Sequence, residues 1–174
     1  MTTRDAQAPA DAQFIGRWSP RAFNGEALSH AQVMTLIEAA RWAPSCFNSQ
    51  PWRFVYATKD SEHWPAMLSL LMDMNQAWAQ HAGALIAVVS RNTFQGNDAP
   101  APTHSFDTGA AWMSMALQAQ SMGLASHAMW GIEHNDIPTA LNLPDNMQIQ
   151  AMVAVGAVGN KADLPEPLRS EERR

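Results

Sequence analysis

The sequence predicts one domain of mixed class, α/β or α+β. Three observations predict it. The chain has 174 residues, the length of a unit built around one core. Helical and strand patterns alternate along it without an internal repeat, and no Gly-, Ser- or Pro-rich linker divides it. Apolar residues make up 47% and charged residues 16%, so there is ample material to bury.

The elements follow in chain order. Residues 1–13 are small and polar and read as a disordered tail ahead of a domain over 14–174. FIGRWSPRAFNGEAL (14–28) reads as irregular or extended. Ser29 and Gln32 then form a capping box, and Val33, Leu36, Ile37 and Ala40 follow at helical spacing. Pro44 ends that helix, and RFVYA (53–57) reads as a strand. A second helix is expected from Glu62 to about Gln80, and ALIAVVS (84–90) is a buried strand. Residues 91–106, with Gly96, Pro100 and Pro102, form a loop. Asp107 is expected to cap a helix running to Met122, with Gly123 at the C-terminal stop. LASHAM (124–129) reads as a strand, Asn135–Leu141 as a short helix, and IQAMVAVGAV (149–158) as the last strand.

Composition excludes several function classes. The net charge of −5 argues against a surface for nucleic acid or anionic membrane. Cys46 is the only cysteine, so neither an internal disulfide nor a CxxC metal pair is available. Nothing beside it in sequence pairs it with a His or Asp, and it reads as a small, unreactive loop residue. The six histidines (His30, His63, His81, His104, His127 and His134) show no HExxH or comparable spacing, so no metal site is expected. VGAVG (155–159) lacks the full G-x-G-x-x-G of a dinucleotide loop and reads as a strand entering a turn. The N-terminus has no apolar core of a secretory signal, and no run approaches the ~20 apolar residues of a membrane span. A soluble, cytoplasmic protein is the expectation.

Two segments carry more information. Pro20 pushes Ser19 toward extended geometry, and in an extended chain Arg17, Ser19 and Arg21 face the same way. Two guanidinium groups flanking a hydroxyl suit a phosphate and a polar ring edge, but also an ordinary solvated turn. APSCFNSQPW (43–52) packs Ser45, Cys46, Asn48, Ser49 and Gln50 between two prolines, next to Trp52. Donors and acceptors held on a stiffened backbone suit a planar heteroaromatic ligand. Trp52 fits that ligand's wall or the core.

With these motifs the chain resembles the nitroreductase family of FMN-dependent oxidoreductases. The first motif is R-x-S-x-R-x-F at Arg17–Phe23, and the second, more specific, is A-P-S-x-x-N-x-Q-P-W at Ala43–Trp52. NQAWAQHAGALIAVV (75–89), DTGAAWMSMALQAQSMGL (107–124), HAMWGI (127–132) and LPEPLR (164–169) follow in the family's order, so the resemblance spans nearly the whole chain.

The resemblance implies an α+β sandwich, a mostly antiparallel central sheet flanked by helices, in an intertwined homodimer with two FMN sites. It implies that Arg17, Trp18 and Ser19 lie toward the FMN phosphate, Arg21 at the flavin N1/O2 edge and Asn75 at the pyrimidine edge. Pro44, Ser45, Cys46, Asn48 and Gln50 would reach the flavin from the partner subunit, with Phe47 on the substrate side. The backbone of Met129, Trp130 and Gly131 would face N5. Trp130 stands where many relatives carry an acidic residue; it would narrow the substrate side, or pack as core. Relatives usually continue past LPEPLR with a further basic residue for the phosphate, for which Arg169, Arg173 and Arg174 are the candidates. The implied activity is ping-pong: NAD(P)H reduces FMN, which then reduces a nitroaromatic, quinone or enone-like acceptor. No separate catalytic residue and no metal are implied. The alternatives are a dehalogenase or flavin-cleaving enzyme, and a flavin-binding protein with little turnover. Trp112, Met113, Met115 and Leu117 give one helix surplus apolar surface, fitting a dimer face or a central core helix; the resemblance favours the former.

Overall fold

The structure is a computed structural model that describes Arg4 and residues 6–172. Four strands form its sheet: β1 (Trp52–Thr58), β2 (Ala84–Arg91), β3 (Ala125–Met129) and β4 (Met147–Gly156). They pair antiparallel throughout, in the order β1-β2-β4-β3. β2 is central and buried on both faces, so its side chains are apolar without alternation. Successive residues still point to opposite sides. Leu85, Ala87 and Val89 join one core cluster, with Trp64, Met67, Leu71 and Trp78. Ala84, Ile86 and Val88 join the other, with Val33, Leu36, Met115 and Trp52. Each fully buried aliphatic side chain contributes about 1.5–3 kcal/mol relative to exposure. The antiparallel sheet covered by helices on both faces is the α+β sandwich expected.

Helices α2 (His30–Arg41) and α5 (His104–Ser121) pack on one face. The capping box at the start of α2 is formed: Ser29 Oγ accepts from Gln32 N, and Gln32 Oε1 accepts from Ser29 N. α5 serves the core through Ala111, Met115 and Ala119, while Met113 and Phe106 stand exposed and Trp112 is half-buried. Gly123, at φ +73°, makes the expected stop after α5, in a conformation that favours glycine. Trp52 is buried in the core beside α2.

Several boundaries differ from the sequence reading. The single helix expected from 62 to 80 is two, α3 (Trp64–Ser69) and α4 (Asp73–Ala79). The break has a tertiary cause: Leu71 forms an antiparallel bridge with Ile132, and Met72 N donates to Gly131 O at 3.1 Å. Thr103, not Asp107, occupies the N-cap position of α5; Asp107 lies inside the first turn, buried. Helix α1 (Ala12–Gly16), capped by Asp11, occupies part of the stretch read as tail and irregular chain. Of that tail, residues 1–3 and 5 lie outside the described residues. The remaining helices are α6 (Ile137–Ala140) and α7 (Glu166–Glu171), the latter unread in the sequence. Among the described residues no helix is long and apolar enough to cross a membrane.

Candidate functional site

The 43–50 loop joins the end of α2 to β1. Its central residues, Cys46–Asn48, make a single 3-10 turn. Phe47, Asn48 and Gln50 adopt φ of 52°, 53° and 46°, the left-handed region that costs a non-glycine residue roughly 1–2 kcal/mol. Polar contacts from both sides hold this conformation. Ser45 Oγ accepts from Gln50 N at 3.0 Å, and Asn48 Oδ1 from Gln50 Nε2 at 3.0 Å. Cys46 N donates to the Asp107 carboxylate at 3.1 Å, which also accepts from Thr103 Oγ1 at 3.0 Å. The carboxylate is thereby placed in the first turn of α5, where the helix dipole favours it. Ser45 and Cys46 are half-buried and Pro44 and Asn48 exposed. The phenyl ring of Phe47 is 90% exposed and meets Phe94 edge-on, with ring centroids 5.9 Å apart. Such strain, held in place by surrounding contacts, marks a segment kept for something other than stability.

The Arg17–Arg21 segment runs from α1 beside the first residues of β3, where Arg17 and Trp18 meet Ala125 and Ser126 and Pro20 O meets His127. Arg17 donates to Ser19 Oγ at 3.3 Å, and among the described residues it has no carboxylate partner. Partial burial, with Arg4 nearby, lowers its pKa from the ordinary guanidinium value. Arg21 differs: its guanidinium pairs with Glu171 at 3.0 Å, and its amide donates to the buried Glu172 carboxylate at 3.1 and 3.3 Å. Trp18, half-buried, lines a cavity of about 200 Å³ together with Arg17, Gln120 and Ser126.

The third part is built where β3 ends. Asn75, on α4, donates its side-chain amide to Gly131 O at 2.9 Å. A Cβ at Gly131 would lie 2.6 Å from Asn75 Nδ2, so only glycine admits this approach. Met129 is buried, whereas Trp130 is 66% exposed. Its ring rests on His134, centroids 4.3 Å apart, with a His134 Nε2–Trp130 O contact of 3.1 Å. The core alternative for Trp130 is thereby set aside.

The site residues thus fall into two groups. Asn75 and Met129–Gly131 come together, with the Arg17–Arg21 segment beside the same strand. The 43–50 loop lines grooves of about 570 and 620 Å³, neither of which includes a residue of 17–21. Arg169 is exposed and its contacts are local, with Leu164 O at 3.1 Å and Glu166 at 3.2 Å. Arg173 and Arg174 lie outside the described residues. Sequence reasoning missed Asp107 as the anchor of the loop, and Glu171 and Glu172 as partners of Arg21. The acidic residue near the start of a helix was visible; its partner 61 positions away was not. Among the described residues no cluster of His, Cys, Asp or Glu could hold a metal ion.

Comparison with known proteins adds the following. The model of the nitroreductase family matches residues 15–76 and 64–157. A solved structure of an oxidoreductase containing FMN is 45% identical, with a TM-score of 0.94, covering 97% of this chain and 87% of its own. An NADH dehydrogenase from Thermus thermophilus is 27% identical over 171 residues, covering 82% of this chain and 83% of its own. A putative nitroreductase from Exiguobacterium sibiricum, solved in complex with FMN, shares the fold at a TM-score of 0.75 and 23% identity, covering 93% of this chain and 94% of its own.

Proposed function

The chain belongs to the nitroreductase family, and from that premise we propose that it is an FMN-dependent oxidoreductase which takes hydride from NAD(P)H and reduces a small acceptor such as a nitroaromatic or quinone. The observation that carries the reading is the pair Arg17 and Ser19. It presents a cation without a carboxylate partner among the described residues, next to a hydroxyl, on a segment beside β3, the strand that leads to the Asn75–Gly131 contact. A phosphate suits the first part and a polar ring edge the second. The FMN contained in the 45%-identical structure supports the cofactor, and the Thermus relative supports a nicotinamide donor.

The residues present fit FMN. Arg17 and Ser19 would hold the phosphate through charge-assisted hydrogen bonds. Arg21 would lie at the N1/O2 edge and offset negative charge there, its strength moderated by Glu171. Asn75, which braces the Gly131 carbonyl, would orient the pyrimidine edge, with the Met129–Gly131 backbone toward N5. Bound FMN supplies the hydride-transfer chemistry, and the chain supplies position, field and exclusion of water. The 43–50 loop completes the site of a second copy, with Phe47 on the substrate side. In support, the loop is held in a strained conformation with Phe47 exposed, and the two grooves it lines, of about 570 and 620 Å³, include no residue of 17–21.

The test is the visible spectrum of the purified protein. Flavin bands that bleach on adding NADH or NADPH without oxygen, and return with a quinone, are the expected outcome. A folded protein that takes up no FMN in titration calorimetry overturns the reading. Flavin that binds yet resists nicotinamide leaves a binding protein in place of an enzyme.

A further inference from the structure

We infer that His127 is a positioning residue, whose ring N–H holds the Pro20 carbonyl and so fixes the cation-bearing Arg17–Arg21 segment against the sheet. Side chains on β3 alternate between its two faces. His127 lies on the face of α4, where its ring tilts against Trp78, centroids 4.7 Å apart. Its Nδ1 is 3.0 Å from Pro20 O. A carbonyl only accepts, so Nδ1 carries the proton and the tautomer is fixed.

Position makes this contact matter. Pro20 has no backbone N–H to offer the sheet. Further on, Ala22 O accepts from Gly159 N and Phe23 bridges Val158. Among the described residues, the Ser19 amide makes no backbone hydrogen bond to the sheet, and it is the His127 ring that the Pro20 carbonyl, with that of Ser19 nearby, engages. Burial, chiefly, lowers the pKa of the ring from its ordinary value; the Arg21 and Arg17 cations act in the same direction, and the carbonyls of Pro20 and Ser19 against it. His127 also sits four residues before Gly131, on the strand that ends in the Asn75 contact. One strand therefore sets the spacing between the arginine segment and the 129–131 backbone.

The inference deepens the flavin reading, and two substitutions separate its parts. His127→Asn keeps an N–H donor near the position of Nδ1 but removes the ring. His127→Phe keeps the ring against Trp78 but removes the donor. Loss of one buried hydrogen bond predicts about a five- to tenfold weaker FMN affinity in the Phe variant, with Asn within about twofold of the parent. The readout is quenching of FMN fluorescence by the apoprotein. Amide exchange of the apoprotein over residues 19–22 provides a measure without flavin: fast in Phe, protected in Asn and in the parent. The reverse order, Phe like the parent and Asn impaired, assigns the role to packing and overturns the inference. So does equal behaviour of all three. If the parent takes up no FMN the flavin reading falls by itself, and the exchange data still decide His127. Should both variants fail to fold, nitrogen-15 spectra of the unsubstituted protein decide: a proton on Nε2 in place of Nδ1 refutes the hydrogen bond.

Discussion

Gly131→Ala offers a quantitative test of the flavin-edge geometry. The added Cβ would sit 2.6 Å from Asn75 Nδ2 and 3.6 Å from Met72 Sδ. The second is an ordinary contact. The first is not, and the amide, as the free end of a side chain, must swing away. Its 2.9 Å hydrogen bond to Gly131 O is lost, at a net cost of about 0.5–1.5 kcal/mol. Gly131 O keeps its bond from Met72 N, so no carbonyl is left bare. For a chain of this size that cost lowers Tm by roughly 2–4 °C per kcal/mol. FMN affinity falls as well, by about fivefold for one neutral hydrogen bond, because the displaced amide is the one assigned to the pyrimidine edge. A double-mutant cycle isolates the cause. In an Asn75→Ala background the obstacle is gone, so Gly131→Ala should cost almost nothing further in Tm or FMN affinity. Calorimetric melting and fluorescence titration of the four proteins measure both. Additive losses would show that the alanine acts on the backbone or elsewhere, and the proposed geometry of Asn75 would be wrong.

Other outcomes follow from the same contacts. Arg17→Ala should weaken FMN retention by roughly ten- to a hundredfold, through loss of a charge-assisted contact. Arg21→Ala, whose charge Glu171 already shares, should slow flavin reduction more than it weakens binding; identical profiles for the two would refute the division. Asp107→Ala removes the acceptor of Cys46 N and Thr103 Oγ1, and should cost about 1.5–3 kcal/mol in denaturant melts while speeding proteolysis within 45–50. A loop as protected as before would place its anchor elsewhere. On pH, burial holds the folded pKa of His127 below its ordinary 6.5, so the unfolded chain binds the proton first. Its contribution to stability is complete above that value and falls as pH drops from about 6.5 toward the folded pKa, so the decline should be shallower in His127→Asn. Finally, Arg17→Ala/Arg21→Ala chains exchanged with chains whose Ser45–Asn48 loop is alanine should regain about half the activity per dimer if sites are shared. No recovery after exchange confirmed by mass spectrometry excludes sharing.

The strands, α2 and the approximate extent of α5 were legible because their signals are local. The capping box at Ser29 and Gln32 needs four residues, and the positive φ of Gly123 needs one. The candidate site was legible as motifs, since Arg17–Phe23 and Ala43–Trp52 are continuous in sequence. Sequence thus determined the elements, the balance of charge and the residue types on offer. The tertiary structure decided how they engage. Leu71 breaks a helix because Ile132 reaches it from 61 positions away, an interaction that no window of local propensity contains. Asp107 was read as a cap because acidic residues favour helix starts; its acceptor role was settled by the loop folded against it. Phe47, Asn48 and Gln50 are ordinary residues for a turn, yet in the fold they adopt left-handed conformations in a loop that Ser45, Asn48 and Asp107 hold by hydrogen bonds. His127 showed no partner in sequence because its partner is a backbone carbonyl, which every residue carries and only the fold selects.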